Sequence, residues 1–296
     1  MEPVQTPVAN NDEPFEPCPT PLSWQDVVRQ FVDQSEQWSA TIDGLELNGR
    51  SIGEGPPLYF VNGFMGDMNL LSLTIWLMSE EFRCVTFDWP NDFRPRDAHA
   101  FANVLMSVAN QQSHETFSVF STGAGCIATL AAMLEQPERI QRCVLHGGFA
   151  KCELSVTERA AMVAGSVFPG LIGALPGVTK IVQQNHRAWF PPFDTSRWTF
   201  AEQNLGSTPV KRLARMATVL KSFEFTDRLD QIATQTLLVR CEGDSPIQEK
   251  AQNLLEKSIS GVSVEWMHTC GRLPFLTHPH RLKKILLNFL SEPSAA

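Results

Sequence analysis

The chain has 296 residues, 43% of them apolar, and a formal net charge of −8. That length can bury a sizeable core in a single domain. The acidic balance argues against nucleic acid as a main partner and favours solubility. Seven cysteines, at 18, 84, 126, 143, 152, 241 and 270, are odd in number and form no Cys-x-x-Cys pair. Most lie in apolar strands or beside small residues, which reads as reduced, buried thiols of a cytoplasmic protein. The amino terminus shows neither a basic leader nor a signal-like apolar core, in keeping with that location.

Residues 1–21 are rich in Pro, Glu, Asn and Thr and read as a disordered tail. From Ser23 to about Trp38 the spacing of Trp24, Val27, Val28, Phe31 and Val32 predicts a helix capped by Ser23. Two short strands are expected in 40–53. The Gly53-Glu54-Gly55-Pro56-Pro57 turn then leads into an apolar strand from Leu58. A further strand begins at Arg83, and Asp97 starts a helix running to about Gln111. Strands at 142–146 and 236–241, a helix from Ile247 to Lys257 begun by Ser245-Pro246, and a last helix from about Pro279 to Leu290 complete the pattern. Strands alternating with helices imply a mostly parallel, doubly wound sheet of the α/β class.

Phe117-Ser-Val-Phe-Ser-Thr-Gly-Ala-Gly-Cys126 reads as a buried strand turning sharply into a helix. In a G-x-S-x-G nucleophile elbow the central residue sits on a strained strand-to-helix turn and projects its side chain above the sheet. The five positions here are Ser121, Thr122, Gly123, Ala124 and Gly125. The flanking small residues suit close packing of helix and strand, yet Gly123 has no side chain with which to attack.

This segment resembles the elbow of the α/β-hydrolase superfamily, in which the following helix ends at a turn similar to Pro137-Glu138-Arg139. Other segments extend the likeness. Leu58-Tyr-Phe-Val-Asn-Gly-Phe-Met-Gly66 is similar to the strand ending in "H-G-F", with Asn62 in the histidine's place. Thr236-Leu-Leu-Val-Arg-Cys-Glu-Gly-Asp244 matches the strand that ends in the triad acid. Cys270-Gly-Arg-Leu-Pro-Phe-Leu-Thr-His-Pro279 resembles the segment that carries the catalytic histidine, with Arg272 in its place; it also distantly resembles maspardin, a member considered non-hydrolytic. The resemblance implies an α/β-hydrolase fold of about eight strands. Its core would span 22–150 and 233–292, with an inserted helical cap over 151–232.

The same resemblance implies a degenerate triad of Gly123, Asp244 and Arg272, oxyanion-hole-like amides at Phe64 and Ala124, and a pocket around Asn62, Gly63, Thr122 and Gly125. Glycine supplies no oxygen and arginine stays protonated, so conventional serine hydrolysis is not expected. Arg272 is expected to pair with Asp244, although Asp244 is equally well explained as a small acceptor for its loop and the next helix. With the elbow amides, Arg272 would make an anion site. Thr122 has no identifiable base, and Cys126 reads as packing.

His146, His268, His278 and His280 match no strong metal spacing, and neither metal nor cofactor is expected. Ala160–Thr179 carries no charge and would be long enough to span a bilayer, but its glycines and prolines favour a bent, buried hairpin over the pocket rather than membrane contact. Three classes of function stay open. They are a non-hydrolytic protein binding a small molecule, an anion among the candidates, or a protein partner in the former active site; a divergent enzyme of non-serine chemistry; and an interaction protein using its tail or cap.

Overall fold

The computed structural model describes residues 22–152 and 155–291; the Pro-rich segment 1–21 lies outside them. Helix α1 (Trp24–Gln34) is capped by Ser23, whose hydroxyl accepts the Asp26 N–H. It is shorter than its apolar spacing suggested. Ser35 turns the chain into an extended conformation, and β1 (Glu36–Ile42) pairs antiparallel with β2 (Leu45–Ile52) across an Asp43-Gly44 turn in which both residues have positive φ. Trp38 fits the helical stripe, but sheet pairing claims it. Its ring lies on Gly49, where a Cβ would come within 2.0 Å of it, and its indole N–H donates to Ser51 Oγ at 3.0 Å.

Strand β3 (Pro57–Val61) leads through α2 (Ser72–Met78) to β4 (Arg83–Phe87), and α3 (Ala98–Gln111), capped by Asp97, leads to β5 (Phe117–Thr122). Helix α4 (Cys126–Glu135) returns to β6 (Ile140–His146). Four helices follow before the sheet resumes: α5 (Val156–Gly165), α6 (Val178–His186), α7 (Thr195–Gly206) and α8 (Val210–Ala217). Then come β7 (Gln235–Cys241), α9 (Pro246–Ser258), β8 (Ser263–Met267), α10 (Pro274–Thr277) and α11 (Pro279–Leu290). The sheet order is β1-β2-β4-β3-β5-β6-β7-β8, with all pairs parallel beyond the antiparallel β1-β2-β4 edge.

The central strands are apolar on both faces because helices cover both. Tyr59, Val61, Val119 and Leu145 face one core with α3 and α4, while Phe60, Phe120, Val144 and Val239 face the other with α1, α2 and α11. The carboxyl ends of β3, β5, β6, β7 and β8 therefore share one edge of the sheet, and the site lies there.

The uncharged stretch 160–179 is bent, but it is not a buried hairpin. Helix α5 stops at Gly165, and α6 starts only after Gly177, at φ +81°. Gly165 packs against Ala214 and Val210 of α8 and Met162 is buried, yet Val163, Val167, Phe168 and Leu171 face solvent. One flank of α5 meets α8, and nothing among the described residues covers the other. No helix of the described residues is long and apolar enough to cross a membrane.

Candidate functional site

Strand β5 ends with Thr122 in an extended conformation, and the next residue, Gly123, has φ +55° and opens a short 3-10 turn into α4. A Cβ on Gly123 would meet nothing within 4 Å, so the apex of the turn is sterically open. Gly125 is the opposite case. A Cβ there would lie 2.4 Å from the Asn62 carbonyl oxygen and 2.8 Å from that of Val61, so only glycine lets α4 approach the end of β3. At Gly63 an added Cβ would sit 3.8 Å from the Ala124 amide nitrogen, which places the loop after β3 against the elbow.

Asn62 organises that loop. It is buried; its amide donates to the Met65 and Asp67 carbonyls, and its oxygen accepts the Gly63 N–H at 2.8 Å. Phe64 stacks on Phe101 with ring centroids 5.3 Å apart. The helices beyond β6 grip the loop further. Gly66 N–H donates to Thr208 Oγ1 at 2.8 Å, Asp67 N–H to Asn204 Oδ1 at 3.1 Å, and Arg212 Nη2 to the Gly66 carbonyl at 3.0 Å. Asp88, which accepts the Met68 N–H, is pushed up to about 6 by burial and by the nearby Asp67 charge.

At the ends of β5 and β6, Thr122 and His146 are register partners, and Thr122 Oγ1 lies 2.9 Å from His146 Nδ1. The other ring nitrogen is 3.6 Å from Cys241 Sγ. Burial lowers the His146 pKa to about 4, partly opposed by the charge of Asp244, so the imidazole is neutral at pH 7. Thr122 thus has a histidine partner that sequence spacing did not reveal. The only signal was the parallel register of two strands ending together.

Across the site, the expected Asp244–Arg272 ion pair does not form. Asp244 Oδ2 is taken locally, accepting the Cys241 N–H at 3.1 Å and the Gln252 side-chain amide at 2.6 Å; its Oδ1 is buried without a partner. Arg272 instead donates from Nε to the Gly243 carbonyl at 3.2 Å, and its outer nitrogens have no partner among the described residues. The carboxylate closes its own loop, and the guanidinium rests on backbone.

Trp189, from the short turn after α6, is wedged between the two loops. A Cβ on Gly243 would come within 2.6 Å of its ring, and one on Gly271 within 2.4 Å. Nearby His186 is lowered to about 4 by burial and then by the Arg272 charge, and its Nδ1 is buried without a partner. On the elbow side, a Cβ on Gly147, at φ +61°, would sit 3.6 Å from Gln248 Nε2 and 3.9 Å from Gly123 N. His146, His186, Trp189 and Gln248 were not singled out as pocket residues from the sequence. Trp189 and His186 lie in the region with the least motif content, and Gln248 lies in the first turn of α9, where it completes the Ser245 cap.

Among the described residues no group of three or more His, Cys, Asp or Glu side chains could hold a metal ion. The turn at Gly123 is sterically open and bears no side chain at its apex.

Comparison with solved structures decides what this framework is. A hydrolase from Pseudomonas aeruginosa superposes with a TM-score of 0.74 at 17% identity, covering 86% of this chain and 98% of that one. A thermophilic esterase from Thermogutta terrifontis gives 0.75 at 16% identity over 86% and 98% of the two chains. An enol-lactonase from Burkholderia xenovorans gives 0.73 at 15% over 86% and 100%. The chain has the α/β-hydrolase fold. At these identities the likeness extends to the fold alone, and no protein-family model matches the chain. The turn at Gly123 follows β5, and the loops bearing Asp244 and Arg272 follow β7 and β8.

Proposed function

We propose that this is a non-hydrolytic α/β-hydrolase-fold protein that binds a small molecule or a protein partner in the former active-site pocket. The observation that carries the reading is the pairing of an open, side-chain-free apex at Gly123 with Arg272 at the base position, resting on the Gly243 carbonyl. Gly123 supplies no oxygen to attack, and arginine cannot accept a proton. The outer nitrogens of Arg272, the Gln248 amide and the Phe64 and Ala124 N–H groups favour an acceptor-rich ligand, a carboxylate being the simplest. The likeness of the Arg272 segment to non-hydrolytic maspardin agrees with this.

The test combines chemistry and binding. The purified protein should hydrolyse no short-chain p-nitrophenyl ester above buffer and gain no fluorophosphonate adduct. Small carboxylates should raise its melting temperature, and Arg272→Gln should abolish that rise.

A second reading, an enzyme of non-serine chemistry, is favoured by the Thr122–His146 hydrogen bond. A probe adduct mapped to Thr122 would establish it and defeat the first.

A further inference from the structure

Cys241 ends β7 and Cys270 lies in the loop after β8, two residues before Arg272. Their backbones are laced together, because Cys241 pairs with Met267 and the Gly243 N–H donates to the Cys270 carbonyl at 2.9 Å. Both side chains are buried and reduced, and each thiol shifts the titration of the other. Cys270 Sγ also lies 3.6 Å from Thr277 Oγ1, and Cys241 Sγ lies 3.6 Å from the His146 ring. Thr269, immediately before Cys270, holds φ +58°, a left-handed conformation that a β-branched residue adopts only under strain.

We propose that Cys241 and Cys270 form a redox-active pair that closes to a disulfide when the protein meets a peroxide, tying the end of β7 to the loop that carries Arg272. The contacts from Cys241 and Thr277 hold the Cys270 thiol below its usual value, while the contact with Cys270 and burial push Cys241 up. Cys270 is therefore the attacking sulfur. Its thiolate attacks the O–O bond of hydrogen peroxide, becoming a sulfenic acid and releasing hydroxide, which takes up the thiol's proton to give water. Cys241 sulfur then attacks the sulfenic sulfur and displaces its oxygen, which leaves as a second water with the Cys241 proton. Two thiols lose two electrons and one peroxide gains them. The bond would fix both partners of the Arg272–Gly243 contact, so that the site's arginine would be held by a covalent brace rather than by one hydrogen bond.

The folded full-length protein would be titrated with hydrogen peroxide, quenched with N-ethylmaleimide and digested with trypsin without reduction. The expected product joins peptide 241–250 to peptide 258–272, with loss of maleimide from both cysteines. Cys241→Ser and Cys270→Ser should each remove it. Two results would overturn the proposal. One is a dose that oxidises the half-buried Cys152 but leaves 241 and 270 unlinked; the other is a cross-link that appears only in urea or joins either cysteine to a different thiol.

Discussion

On the elbow side of the site the geometry is set by backbone meeting backbone; on the side of the β7 and β8 loops it is set by side chains. Gly125 admits the Asn62 and Val61 carbonyls at distances no Cβ would allow, and Gly123 completes the sharp turn. Across from them, Trp189 fills the gap between Gly243 and Gly271, Gln252 holds Asp244, and Arg272 leans on a carbonyl. The contrast teaches that close packing of helix on strand enforces the sharp turn whatever residue occupies its apex, whereas Asp244 and Arg272 have no such backbone constraint and take local partners.

The comparison breaks most readily at Gly125. Gly125→Val should lose about 4 kcal/mol of stability in urea denaturation, because the opposing atoms are carbonyls that cannot swing aside. A loss below about 1 kcal/mol would show that the elbow is not held by that contact.

Next in size is the pH dependence created by His146. Its pKa is about 4 in the folded protein against 6.5 for an ordinary histidine, so the unfolded chain takes up the proton first. The stability is complete above pH 6.5 and drains away as the pH falls toward 4, by about 3 kcal/mol if His146 alone is counted. His186 acts in the same direction. Asp88, raised to about 6, acts in the opposite one, since its contribution is present at low pH and fades as the pH rises through 6. His146→Gln should therefore flatten the loss between pH 7 and 5 without abolishing it. Identical profiles for variant and parent would show that His146 is not the buried neutral group beside Thr122.

The smallest effect sharpens the comparison. Gly123→Ser has room for its side chain and should cost only about 1 kcal/mol for the positive φ. It should still hydrolyse nothing, since Arg272 offers no base. Measurable esterase activity in this single variant would mean that another group, His146 first among candidates, can activate the serine.

The strands other than β8, the sharp strand-to-helix turn at Gly123 and the helices after Asp97, Ser245 and Pro279 were legible because each rests on a local rule: apolar runs, caps, small residues at a turn, or proline at a first turn. What sequence could not show was competition. The ion pair expected of Asp244 and Arg272 loses to Cys241, Gln252 and Gly243, each within eight positions of Asp244 yet invisible to motif reasoning. Trp38 satisfies a helical stripe and is claimed by the sheet. Strand β8 went unread because Ser263–Met267 is mostly exposed and lacks an apolar run. The burial expected for 160–179 failed because composition says how apolar a segment is, not whether the fold supplies a surface to cover it.

Trp189 has a consequence for how a ligand would enter. A lid that opens by hinging must withdraw from the body beneath it, and withdrawing this indole would uncover two glycine backbones together and leave a void between two loops. Such an opening is a partial unfolding rather than a swing. Association at this site should therefore proceed in one kinetic phase whose rate rises linearly with ligand concentration, without the plateau that marks a gate opening at its own fixed rate.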